Sequence, residues 1–193
     1  MEVYECITTR RSCRAYKDMP IEREKLERVV ESGRFAPSAN DNQMARFIVL
    51  ASKEALDEIA AVVRRAYAEM KEDDPKYASS QGVIEKSKDG SYVFHYDPSA
   101  LVIVANKDGY SHAMADCACA IENMMIEAND LGLSSVWVNQ LCAFERHPDV
   151  VGHLRKIGLA DDEIVYGALS IGYAQVPNHD APERKGNPVV YVE

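Results

Sequence analysis

Arg10, Arg11 and Arg14 crowd into "TTRRSCRAY" (residues 8–16), with Ser12 among them and Thr8 and Thr9 just before. The rest of the chain is acidic: 22 Lys and Arg stand against 31 Asp and Glu, for a formal net charge of -9. Arginine's planar fork matches the oxygens of a phosphate monoester, and a hydroxyl such as Ser12 adds a donor. The alternative is a solvated basic turn closing a helix C-terminus, where cations are mildly favourable. The residues leave both readings open, and a basic knot in an acidic chain leans toward a specific anion. Two further stretches could touch a ligand. In "APSANDNQ" (36–43), small side chains after a proline stop let backbone amides come close, although taken alone the stretch reads as an ordinary helix–strand connector. In "GLSSVWVNQL" (132–141), the sole tryptophan, Trp137, reads as core, while Asn139 and Gln140 at the strand end could aim N–H groups at a ring.

Other devices are missing. No G-x-G-x-x-G and no nucleophile elbow occur. Gly167 and Gly172 have P-loop spacing, but Tyr173 and Ala174 follow, so the pair reads as strand packing. Cys6, Cys13, Cys117, Cys119 and Cys142 are odd in number and form no C-x-x-C, which predicts free thiols in a reducing compartment. The five histidines lack zinc-ligand spacing, so no metal site is expected. No nucleophile–base constellation is present, and no catalytic side chain is assigned.

These residues need elements to hold them. Val3 to Thr9 can form a short helix. "PIEREKLERVVESGRFAP" (20–37) reads as an amphipathic helix with Leu26, Val29, Val30 and Phe35 inward, stopped before Pro37. "RFIVLA" (46–51) is a strand, and 52–70 a helix with Ser52 as N-cap. Residues 71–94 read as an excursion or lid. "SALVIVAN" (99–106) is a buried strand, and 111–132 a long apolar helix capped by Gly132. An extended segment (134–141), a helix in "ERHPDVVGHLRKIGL", a strand (163–174) and a β-like end "VVYV" follow. Helices and strands mix without strict alternation, which predicts an α+β sandwich.

The chain has 193 residues, 47% hydrophobic and 27% charged, enough for a single domain over 1–193 with a proper core. The acidic balance argues against nucleic-acid binding. No secretory signal is visible, and the longest apolar run, "ALVIVA" (100–105), is too short to span a bilayer, so no membrane partner is expected and the location is read as cytoplasmic.

Five ordered segments together resemble the FMN-dependent nitroreductase-like family. "RRSCRAY" resembles its opening arginine motif, and "APSANDNQMARFIVL" its A-P-S-x-x-N-x-Q segment. "FHYDPSALVIVA" and "DCACAIENMMIEANDLGLSSVWV" resemble the strand, central helix and strand that follow. "GALSIGYAQVP" with Arg184 resembles the closing strand and tail. The resemblance implies a mixed, mainly antiparallel central sheet flanked by helices in an intertwined homodimer, with FMN at the interface. It implies that Arg10, Arg11, Ser12 and Arg14 surround the FMN phosphate and ribityl chain, with Arg184, and more weakly Lys185, as the tail cation. Pro37, Ser38 and Ala39 match the loop that reaches the other subunit's flavin. Trp137, Val138, Asn139 and Gln140 match the segment facing the ring. Asp41 stands where the family usually has Asn, and an anion there would lower the flavin potential; Asn40 or Asn42 could replace it. Met44 and Ala45 replace Pro-Trp. The implied activity is NAD(P)H-dependent reduction of electron-poor acceptors such as nitroaromatics and quinones by a ping-pong mechanism. The alternatives are flavin-linked oxidation or fragmentation, and a non-catalytic FMN-binding or storage protein.

Overall fold

The computed structural model describes residues 1–70 and 81–193. Helices α1 (Val3–Thr9), α2 (Arg23–Arg34) and α3 (Lys53–Ala68) precede α4 (Gln81–Lys88), α5 (Ala113–Asp130) and α6 (Pro148–Lys156). Strands β1 (Arg46–Leu50), β2 (Ala100–Lys107), β3 (Ser134–Val138) and β4 (Glu163–Gly172) form one sheet in the order β1-β2-β4-β3. Each neighbouring pair is antiparallel. The only parallel pairing among the described residues is an isolated bridge from Ser12 to Ser135.

Helices cover both faces of this sheet, which explains why β2 reads as an unbroken apolar run. Leu101, Ile103 and Ala105 enter the core shared with α3 and α6. Val102 and Val104 enter the core shared with α2 and α5. A bulge opposite Val104 and Ala105 inserts Tyr166 into β4. It flips the alternation, so Val165 and Ala168 face one core while Tyr166 and Leu169 face the other. The domain is therefore the α+β sandwich that the pattern predicts.

Helix ends follow local chemistry. Ser52 Oγ accepts the Ala55 N–H at 3.2 Å and caps α3. Gly132 takes φ +73° after α5, and Leu133 N–H returns to Ala128 O at 2.8 Å, a Schellman stop. Helix α2 ends at Arg34, before the proline. Its buried face is Val29 and Gly33, with Leu26 and Val30 half-buried. Phe35 is 79% exposed, against expectation, because at 100° per residue it lies well off the stripe through Val29 and Gly33. Gly33 is required there, since a Cβ would fall 2.9 Å from Met124 Cγ.

Three other segments differ from the sequence reading. The extended segment 134–141 stops at Val138 and turns into a 3-10 helix, Gln140–Phe144. Of the expected excursion, 71–80 lies outside the described residues, while α4 packs on α3 and buries Ile84, and Phe94 is buried beyond it. The "VVYV" end pairs with no strand here, and Val189 to Val192 are 70–93% exposed. A lone extended segment gains little without a neighbour. Among the described residues no helix is long and apolar enough to cross a membrane.

Candidate functional site

The arginine knot begins where α1 stops. Arg10 leaves the helix at φ -59°, ψ 128°, while its N–H still donates to Cys6 O. Asn129 of α5 is buried and donates from Nδ2 to both Cys6 O and Thr9 Oγ1, at 2.9 Å each. The last turn of α1 is thus tied to the central helix, and the chain emerges from it carrying Arg10 and Arg11. Arg11 Nη2 donates to Thr8 O. Beyond it, Cys13 N–H donates to Ser135 O at 3.0 Å, which lays Ser12 along the edge of β3.

Charge accumulates here, and among the described residues no ion pair neutralises Arg10 or Arg11. Burial, and then the positive charges of Arg10 and Arg184, push the Arg11 guanidinium below its ordinary value. Arg10 Nη1 and Arg11 Nε are buried with no hydrogen-bond partner among the described residues. Buried donors on a cation are costly to leave unpaired, so this arrangement suits an anion with several acceptor oxygens. A pocket of about 200 Å³ opens beside them, lined by Arg11, Ser12, Arg14, Ser134, Gln175 and Asn178. Arg14 shares that pocket but turns away from the cluster, its guanidinium 5.9 Å from the Tyr96 ring centre. Lys185 pairs with exposed Glu183 at 3.2 Å. The structure therefore gathers Arg10, Arg11 and Arg184, with Ser12 and Arg14 at the pocket wall.

The second segment lies at the other end of α5. Ala39–Asp41 form a 3-10 turn, and Asn40, Asp41 and Gln43 take φ +54°, +52° and +50°. Asn and Asp enter this region more readily than other non-glycine residues, but three such residues within four positions, Gln43 among them, still carry a backbone cost. Ser38 Oγ accepts the Gln43 N–H at 3.0 Å, and Asp41 Oδ1 accepts from Gln43 Nε2 at 2.9 Å. Asn42 Nδ2 donates to Tyr110 Oη at 3.1 Å. Pro37 and Asp41 are exposed, while Ser38 and Ala39 are half-buried. Buried Asp116 accepts the Ala39 N–H at 3.1 Å. Sequence reasoning missed Asp116 and Asn129. The signal for both was a polar residue on the apolar face of a buried helix.

Trp137 is half-buried over Gly167, where a Cβ would meet Ile121 Cδ1 at 2.7 Å and Trp137 Nε1 at 3.0 Å. This close packing is the strand-packing role expected for the glycine. Trp137 Nε1 donates to Asn139 Oδ1, which fixes the side chain of that exposed turn residue. The Val138 side chain is in the core. Burial pushes the half-buried Tyr92 hydroxyl up to about 12, with Gln140 beside it opposing that rise. Gln140 Oε1 is buried without a partner among the described residues.

The cysteines are free thiols. Burial pushes Cys117 up to about 12 and Cys142 up to about 11, so neither is a ready thiolate.

An α+β sandwich carrying an unneutralised guanidinium cluster at one end of its central helix defines a recognisable class. Residues 7–173 match the model of the nitroreductase family, and the chain belongs to that oxidoreductase family. It is 31% identical to a Bacteroides fragilis nitroreductase solved with bound FMN, with a TM-score of 0.89 and 100% of both chains covered. A Desulfitobacterium hafniense nitroreductase, also solved with bound FMN, shares the fold at 23% identity and a TM-score of 0.81, covering 100% of this chain and 99% of that one. A protein of Archaeoglobus fulgidus, whose provisional name pairs NADH dehydrogenase with NAD(P)H nitroreductase, is 27% identical over 89% of this chain and 85% of its own.

Proposed function

We propose that the protein is an FMN-dependent oxidoreductase that uses NAD(P)H to reduce electron-poor organic acceptors. One observation carries this reading: Arg10 Nη1 and Arg11 Nε are buried beside Arg184 with no hydrogen-bond partner among the described residues. A terminal phosphate would satisfy them, with Ser12 and Arg14 at the wall of the pocket. The FMN bound to the B. fragilis relative supports the choice of cofactor. Bound here, FMN would supply the redox chemistry, with electrons arriving as hydride from NAD(P)H and leaving to a nitroaromatic or quinone in ping-pong turnover. The relative from A. fulgidus supports the nicotinamide donor. This chain's part would be to bind and orient: the arginines would hold the phosphate, and the N–H groups around Asn139 and Gln140 would stabilise negative charge on the ring. The five free thiols fit a reducing, cytoplasmic setting.

The working unit in this proposal is a homodimer with FMN at its interface. Asn129 and Asp116 grip the two ligand segments thirteen residues apart on α5, roughly 20 Å at the helical rise. One chain then contributes to two different sites. The exposed "VVYV" end is an apolar segment that could add to a sheet, and β1 is an edge strand of the sheet. A groove of about 730 Å³ beside β1, lined in part by Ile21, Leu26, Val30 and Val49, leaves apolar surface uncovered.

Anaerobic titration of the purified protein with NADH and NADPH tests the reaction, and chromatography of the released flavin tests the cofactor. Bleaching of bound FMN by either nicotinamide is expected. FAD, or no flavin affinity, would overturn the cofactor assignment. FMN that neither nicotinamide reduces would shift the reading to an oxidase or a storage protein. Sedimentation at micromolar concentration should show a dimer.

A further inference from the structure

The first turn of α5 carries a buried charge that the proposed chemistry leaves unused. Asp116 is 6% exposed, with Ala113, Cys117 and Ala120 as its buried neighbours along the helix. Its Oδ1 accepts the Ala39 N–H at 3.1 Å. Its Oδ2 is buried with no partner among the described residues. A pocket of about 110 Å³ lies there, lined in part by Pro37, Ser38, Gln43 and Asp116. A half-satisfied carboxylate in the interior opposes folding, and a small apolar residue at this position would not. The α5 N-terminus offsets part of that penalty, because the helix dipole favours an anion in the first turn. The remainder must be balanced by what the carboxylate holds.

What it holds is strained. Asn40, Asp41 and Gln43 are left-handed, and the other bonds of this loop run to itself or to half-buried Tyr110. The Asp116–Ala39 bond is the tie from this loop to the buried part of α5. Charge strengthens that bond, and so does the low dielectric around it. We propose that Asp116 is a positioning residue: through the Ala39 N–H it fixes residues 37–43 in the shape that meets the ligand. The inference rests on reading this loop as flavin-facing. Asp116 acts through Ala39 and takes no part in electron transfer.

The test compares wild type, Asp116→Asn, Asp116→Ala and Ala39→Pro, which removes the same N–H from the other side. Two quantities are read: amide exchange across residues 36–44 in the flavin-free protein, and FMN affinity by fluorescence quenching. Asp116→Ala and Ala39→Pro should each speed loop exchange and weaken FMN by about tenfold or more. Asp116→Asn keeps an oxygen for the Ala39 N–H and should restore both to within about threefold of wild type. Unchanged exchange in Asp116→Ala overturns the proposal, and so does an Asn variant as impaired as the Ala variant. If Asp116→Ala does not fold, Ala39→Pro and Asp116→Asn decide. If wild type binds no FMN, the flavin reading fails while the exchange data still judge the Asp116–Ala39 bond.

Discussion

Helix α5 holds its two ligand segments by opposite means. At the C-terminal end, Asn129 makes neutral bonds to the end of α1, whose backbone is ordinary, and Arg10 Nη1 and Arg11 Nε there have no partner among the described residues. At the N-terminal end, Asp116 spends a buried charge on one backbone N–H, and the segment beyond it is left-handed at three residues. The knot is organised charge, in which cations repel one another until an anion joins them. The loop is organised shape, held against its own backbone preference. Substitutions in the knot should therefore change affinity without harming the fold, while substitutions at the grips should change both.

The largest effect on binding is expected at the cluster itself. Arg10→Ala or Arg11→Ala should weaken FMN by roughly 1.5–3 kcal/mol, the usual worth of hydrogen bonds to a charged group. The flavin-free protein should melt at the same temperature or higher, since the substitution relieves like-charge repulsion at Arg11. Calorimetry and fluorescence titration read the two quantities separately. A melting temperature that drops in step with affinity would make the knot a structural element and dissolve the contrast.

Next is the grip on α1. Asn129→Ala leaves Thr9 Oγ1 and part of Cys6 O without a donor. It should lower stability by about 1–3 kcal/mol. FMN affinity should fall with it, because the helix end that carries Arg10 and Arg11 loosens. Stability lost at constant affinity would show that the knot keeps its shape without Asn129.

The sequence revealed these two regions unequally. Three arginines in an acidic chain stand out as charge, and Arg184 joined them through the family pattern. The unbroken "ALVIVA" run, the Ser52 cap and the Gly132 stop were legible because burial and capping are local properties. Asp116 was legible only as a polar residue on an apolar helix face, not as a contact. Acidic residues are common in a first helical turn, and nothing in the spacing says that this one faces Ala39, seventy-seven positions earlier. Left-handed Asn40 and Asp41 are of types that tolerate that conformation, whereas Gln43 gives no such sign and was hidden. Phe35 misled because it lies at the helix C-cap and, even continued at 100° per residue, falls off the stripe through Val29 and Gly33. The turn of Arg14 toward Tyr96 depends on a contact that no sequence period encodes.

The smallest effects are expected where the knot meets that turn. Arg14 lies over the Tyr96 ring, and Tyr96 and Asp97 take φ +64° and +50°. Asp97 N–H donates to His95 Nδ1 at 3.2 Å, so the ring proton is on Nε2, which donates to Leu56 O at 3.0 Å. Burial holds buried His95 below its ordinary 6.5, partly opposed by the bond to Leu56 and by Asp97 and Asp57. The unfolded chain takes up this proton near 6.5 and the folded chain only at lower pH. Between those two values the unfolded state binds more protons, so stability falls as the pH drops through that window. His95→Gln should flatten this slope in denaturant titrations run at pH 7 and below. An unaltered slope would place the acid sensitivity elsewhere. Arg14→Ala should leave the slope intact and weaken FMN by less than Arg10→Ala does, because the Arg14 guanidinium lies over the Tyr96 ring and away from the cluster. A loss as large as that of Arg10→Ala would instead put Arg14 on the phosphate with the other arginines, and the turn at Tyr96 would then be a resting place that the side chain leaves when the ligand binds.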